Sequence, residues 1–164
     1  MLIDRIIVKL EQNSKVEEMK NLFDKLGPEC SRILKTNYRY KTALIRRNPE
    51  KYLECLEGGD LTFTVSTEVL KGVIEQNSNF QPRLETLASS GNALAAVMMA
   101  RLSLDRVEKE NFVKYCRLCP PNDGSWVYEK IDSPEKFEMC MRVAEESRDH
   151  MIKIFNNYLY NFPL

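Results

Sequence analysis

The chain has 164 residues, a length that suits one domain with a substantial core. Hydrophobic residues at 43% and charged residues at 29% place it among globular domains, and six Gly with seven Pro are too few for a linker-like or collagen-like chain. Lys and Arg balance Asp and Glu at 24 each, which argues against a surface built wholly for nucleic acid or anionic lipid.

A helical repeat of 3.6 residues dominates from the start. Ile3, Ile6, Ile7 and Leu10 share one face of a first helix, and the charges of Asp4, Arg5 and Lys9 leave no apolar run of signal-peptide length. Ser14 with Glu17 three residues on has the spacing of a capping box, which predicts the start of a second helix carrying Val16, Met19, Phe23 and Leu26. Gly27-Pro28 stops that helix. A third is predicted from Glu29 to Arg47, with Pro49 interrupting or ending it and a short continuation through Tyr52, Leu53, Cys55 and Leu56 up to Gly58-Gly59. Leu61, Phe63 and Val65 alternate with Thr in a strand-like pattern; with nothing to pair with, Asp60 to Val65 is expected to be an extended connection.

Ser66 or Thr67 can cap a helix bearing Val69, Leu70, Val73 and Ile74; a loop from Asn77 to Pro82 and a short helix from Arg83 to Ala88 follow. Ala93 to Ala100 is apolar on every side and predicts the most buried helix. It is also the longest apolar run, eight residues against the ~20 of a bilayer span, so no membrane association is expected. Asp105 and Glu108 have capping-box spacing ahead of Phe112, Tyr115, Cys116 and Cys119. Pro120 to Gly124 is the clearest break, followed by the aromatic pair Trp126 and Tyr128. Ser133-Pro134 is an N-cap and first-turn pair for an amphipathic helix of up to ~26 residues, whose stripe includes Phe137, Cys140, Met141, Ala144, Met151 and Phe155. The sum is an all-α, single-domain bundle of about six to eight helices spanning residues 1–164, with a long amphipathic C-terminal helix.

Charge is unevenly distributed. Between Ser31 and Asn48 stand Arg32, Lys35, Arg39, Lys41, Arg46 and Arg47 with no acid among them, so the rest of the chain is net acidic. On one continuous helix Lys35, Arg39 and Arg46 fall at about 300°, 340° and 320° from Arg32, opposite Ile33, Leu34, Tyr38, Leu44 and Ile45. That predicts a cationic ridge flanked by Arg47 and Tyr40. Such a ridge suits an acidic protein surface or, alternatively, the phosphates of RNA or DNA, or it pairs with the chain's own acids. Trp126 is a candidate apolar anchor. The apolar tail from Tyr158 to Leu164 has to dock on its own core or on another chain, which leaves homo-oligomerisation open.

No convergent catalytic set is apparent. Cys116 and Cys119 form a lone CxxC whose only plausible additional ligands are Cys140 and His150, so core packing is expected rather than a metal site. His150, the sole histidine, lies off the apolar stripe near Glu146 and reads as a surface residue. The Gly-containing turns lack the residues of a phosphate-binding loop. Five cysteines without a framework spacing suit reduced thiols in the cytosol or nucleus. The expectation is therefore a non-enzymatic adaptor or regulatory module without cofactor or metal, binding an acidic partner through Arg32, Lys35, Arg39, Arg46 and Arg47.

Overall fold

The computed structural model describes residues 2–62, 64–119 and 131–146, with Ala144 and Glu146 described by backbone alone. Ten helices and no strand are present among the described residues: α1 (Leu2–Gln12), α2 (Met19–Leu26), α3 (Pro28–Thr36), α4 (Tyr38–Arg47), α5 (Pro49–Glu57), α6 (Thr67–Gln76), α7 (Phe80–Ser89), α8 (Ala93–Asp105), α9 (Lys109–Leu118) and α10 (Pro134–Glu146). The all-α expectation is met, with more and shorter helices than the periodicity suggests. The chain divides into two compact units, Met1–Phe80 and Gln81–Leu164.

Short helices need good ends, and both kinds of end are written in local hydrogen bonds. At five N-termini a side-chain oxygen accepts from the backbone N–H three residues on: Asn37 from Tyr40 at 2.9 Å, Asn48 from Lys51 at 3.0 Å, Ser66 from Val69 at 3.3 Å, Asn92 from Ala95 at 3.0 Å and Ser133 from Lys136 at 3.3 Å. Pro28 and Pro49 occupy the first turns of α3 and α5, where a missing N–H is harmless.

Four C-termini close with the paired bonds of a Schellman motif. After α5 the Gly59 N–H donates to the Leu56 carbonyl and the Asp60 N–H to Cys55; after α7 Gly91 and Asn92 do the same to Ala88 and Leu87. Both glycines have positive φ, +73° and +98°, the left-handed conformation that the motif requires. The other two stops use residues with a Cβ. Ser14 (φ 59°) and Lys15 close α1 on Glu11 and Leu10, while Val107 (φ 57°) and Glu108 close α8 on Leu104 and Ser103. These two stops overturn both expected capping boxes. Ser14 belongs to the end of α1, and Asp105 is the last residue of α8; neither residue caps the helix that follows.

In the first unit α4 is the hub, touching α1, α5 and α6, while α2 pairs with α3. Tyr40, Lys41, Ala43, Leu44 and Ile45 turn inward from α4, with Ile7, Phe23, Leu34, Tyr52, Leu53 and Leu70 also buried in this unit. The described residues of the expected connection from Asp60 to Val65, 60–62 and 64–65, are neither helix nor strand. Leu61 and Val65 are buried, the Thr62 hydroxyl donates to the Lys35 carbonyl at 3.3 Å, and the Tyr52 hydroxyl is hydrogen-bonded to the Val65 backbone.

In the second unit α8 pairs most extensively with α9, and α10 touches both. Every residue from Ala95 to Ala100 is buried, as the all-round apolar run predicts. The Ser103 hydroxyl, equally buried, is satisfied by the Met99 carbonyl at 2.8 Å. Ser133 caps α10 as expected, but the helix turns a different side inward. Met139, Cys140 and Val143 are buried while Met141 is 36% exposed, so the buried arc lies at about 200–300° from Phe137. Apolar residues nearly encircle this helix, and its period leaves the phase undetermined. The extension of α10 past Glu146, the break at Pro120–Gly124, Trp126, Tyr128, His150 and the apolar tail lie outside the described residues.

Candidate functional site

The predicted third helix is two helices. Asn37 is extended (φ −76°, ψ 116°) and its side chain takes the Tyr40 N–H, which ends α3 and starts α4 at one residue. Helical phase is lost across that residue, so the single row of cations predicted from Arg32 to Arg46 does not form. Arg32 and Lys35 stay on α3; Arg39, Arg46 and Arg47 stay on α4.

The α3 cations have acids of the same chain beside them. Arg32 pairs with Glu29 one turn earlier at 3.0 Å, both side chains largely exposed. Lys35 lines a small cleft with Lys20, Asp24, Ser31, Leu34, Tyr40 and Asp60. In that cleft the Lys20 ammonium at 2.9 Å and the Ser31 hydroxyl at 2.7 Å hold the Asp24 carboxyl below its ordinary range, and Lys35 adds to the effect through space. Tyr40, expected on the flank of the ridge, is instead a core residue with 4% exposure, and burial pushes its hydroxyl pKa upward. Lys41 is also buried, at 1% exposure, and desolvation lowers its pKa to about 8.

The α4 cations converge. Tyr38, Arg39, Thr42 and Arg46 recur at three and four residues and so occupy the side of α4 away from its buried arc. Against the C-terminal end of α1 they line a groove of about 630 Å³ with Glu11, Gln12, Ala43 and Arg47. Three guanidinium groups face a single carboxylate there. Glu11 binds the Arg39 Nε, with the two side chains 30% and 55% exposed. Arg46 and Arg47 are exposed and make no ion pair among the described residues. The nearby Glu17 carboxylate instead accepts from the Asn48 amide at 3.2 Å.

Polar groups that are not charged complete the lining. Hydrogen bonding to Ser66 holds the Tyr38 hydroxyl below its ordinary pKa, with Thr42 and the charge of Arg46 contributing. The Thr42 hydroxyl is sealed from water and has no partner of normal hydrogen-bond geometry, although the Tyr38 hydroxyl is close enough to feel it. The groove is thus an arginine-rich trough bordered by Tyr38, suited to planar carboxylates or other oxyanions.

Of the residues singled out from sequence, the structure brings together Arg39, Arg46 and Arg47. It leaves Arg32 and Lys35 outside the groove, buries Tyr40, and does not describe Trp126. Sequence reasoning missed Glu11, Gln12 and Thr42 and set Tyr38 on the opposite, apolar face; the break at Asn37 resets the helical phase so that Tyr38, 52% exposed, lies with Arg39 and Arg46 on α4, and the packing of α1 on α4 adds Glu11 and Gln12. Elsewhere, no cluster of three or more His, Cys, Asp or Glu among the described residues could hold a metal ion. Cys116, Cys119 and Cys140 are buried free thiols; burial raises Cys116 well above its ordinary pKa, with the other two thiols adding to it, and raises Cys140 to about 12. No helix among the described residues is long and apolar enough to cross a membrane. Comparison with protein-family models, with curated proteins and with solved structures finds no match for this chain.

Proposed function

We propose that this chain is a non-enzymatic helical interaction module, an adaptor or regulator that engages an acidic protein surface through its basic segment, with the α1–α4 groove as the centre of contact. The supporting observation is the pair Arg46 and Arg47, exposed beside Arg39 and unmatched by any carboxylate among the described residues. Arginine suits this work, since its planar fork binds carboxylates in a defined orientation and is more weakly hydrated than an ammonium. Charge complementarity of this kind sets partner choice and encounter rate more than it sets affinity. Arg32 and Lys35 would then extend the field along α3 without forming the seat itself.

A fluorescent deca-glutamate peptide, a generic RNA duplex and a generic single strand, each titrated by anisotropy, test the proposal. It expects the peptide to bind and Arg46→Glu with Arg47→Glu to weaken binding at least tenfold at unchanged helicity. Preference for either oligonucleotide makes the module a nucleic-acid binder instead. No binding of the peptide at low salt removes the proposal.

A further inference from the structure

Among the described residues Glu11 is the only acidic one lining the groove, and it occupies the Arg39 guanidinium. Arg39 and Arg46 are seven residues apart on α4, within about 20° of each other and roughly 10 Å along the axis. Of the three guanidinium groups in the groove, that of Arg39 is filled from within and those of Arg46 and Arg47 are open. We infer that Glu11 is a built-in competitor: it occupies the Arg39 seat until an acidic segment of a partner, with two carboxylates about 10 Å apart, displaces it and spans Arg39 and Arg46. This inference rests on the acidic-partner proposal and assigns its regulation and its ligand spacing. In a polyproline II segment, with three residues per turn at about 3.1 Å each, carboxylates three residues apart share one side at about that separation.

The exchange balances in charge and hydrogen bonds. Arg39 gives up one carboxylate and gains another, while Glu11, already 30% exposed, turns to water without leaving a buried charge. The partner's second carboxylate then supplies the net gain at Arg46, with Tyr38 also lining the groove there. Removing the Glu11 charge relieves both the competition and the repulsion of the incoming acid.

The test compares Glu11→Gln with Glu17→Gln, which changes net charge equally at a carboxylate bound to Asn48 and not among the groove-lining residues. A fluorescent peptide with glutamates at its first and fourth positions is titrated into each protein. Glu11→Gln is expected to bind about three- to tenfold more tightly than wild type, and Glu17→Gln to stay within about twofold. The Arg39 Nε–H resonance should shift on peptide addition in wild type. Equal tightening by both variants would mean a general charge effect and overturns the inference, as does an unchanged affinity in Glu11→Gln while wild type binds. If neither wild type nor Glu11→Gln binds the peptide, the acidic-partner proposal fails and takes the inference with it. Glu11→Ala, which also removes the side-chain reach, should reproduce the tightening if Gln disturbs the fold.

Discussion

Lys41→Met should stabilise the protein at neutral pH, and the gain should fade as the solution becomes alkaline. Lys41 is buried on the inner side of α4, and desolvation lowers its pKa from 10.5 to about 8. Between those values the unfolded chain holds a proton that the folded chain has released, so stability rises with pH across that window. Below it the ammonium is charged in both states, and folding bears the net cost of burying it. At ~1.4 kcal/mol per pKa unit, the gap corresponds to about 3 kcal/mol. Met keeps the apolar stem and removes the charge.

The wild-type profile alone will not show this cleanly, because the buried thiols act in the opposite sense. Burial raises the pKa of Cys55, Cys116 and Cys140 above the ordinary 9.0. Their unfolded forms ionise first, and stability falls as pH climbs through about 9. The thiols are common to both proteins, so they cancel in the difference. Urea unfolding followed by far-ultraviolet circular dichroism under reducing conditions should show Lys41→Met ahead by about 1–2 M in midpoint at pH 7. The lead should largely close by pH 10.5. A difference independent of pH, or a variant less stable throughout, would refute the assignment of Lys41 as a desolvated ammonium.

Asn37→Ala removes the cap that separates α3 from α4 and should lower stability by about 1 kcal/mol in the same assay. Tyr52→Phe removes the hydroxyl bound to the Val65 backbone; it should lose about 1 kcal/mol and speed proteolysis within residues 58–66. Phe112→Ala empties a fully buried position facing the α8–α9 pairing and should reduce stability by about 3–5 kcal/mol, read by thermal or urea unfolding. In the native protein Cys30, the one half-buried thiol, should react first with a disulfide reagent at pH 8, while Cys116 and Cys140 wait for unfolding.

The helical class, the buried run at Ala95–Ala100, the caps at Ser66 and Ser133 and the non-helical connection after Gly59 follow from local chemistry that a single sequence displays. The misplaced helix boundaries have one shared cause, distinct from the phase of α10. Ser and Asp near a Glu three residues on suggest a helix start, yet at Ser14 and Asp105 a helix is ending, because the left-handed stop residues are Ser14 and Val107 rather than glycine. Asn37 breaks a helix without Gly or Pro, so the apolar repeat runs through it unmarked. That one residue also scattered the predicted row of cations. The groove was half legible: the clustering of arginines is a sequence fact, whereas Glu11 reaches Arg39 across 28 positions by the packing of α1 on α4.

Serine and valine in the left-handed region carry a consequence for how much stability this chain holds in reserve. A Cβ there is disfavoured by roughly 1–2 kcal/mol, most of all when it is branched, as at Val107. Valine at this position is 38% exposed and not deeply packed, so little is lost when its side chain is removed. Each unit therefore sits below its attainable optimum at a known address, and Val107→Gly or Ser14→Gly is an inexpensive route to a hardier protein that leaves the arginine trough untouched.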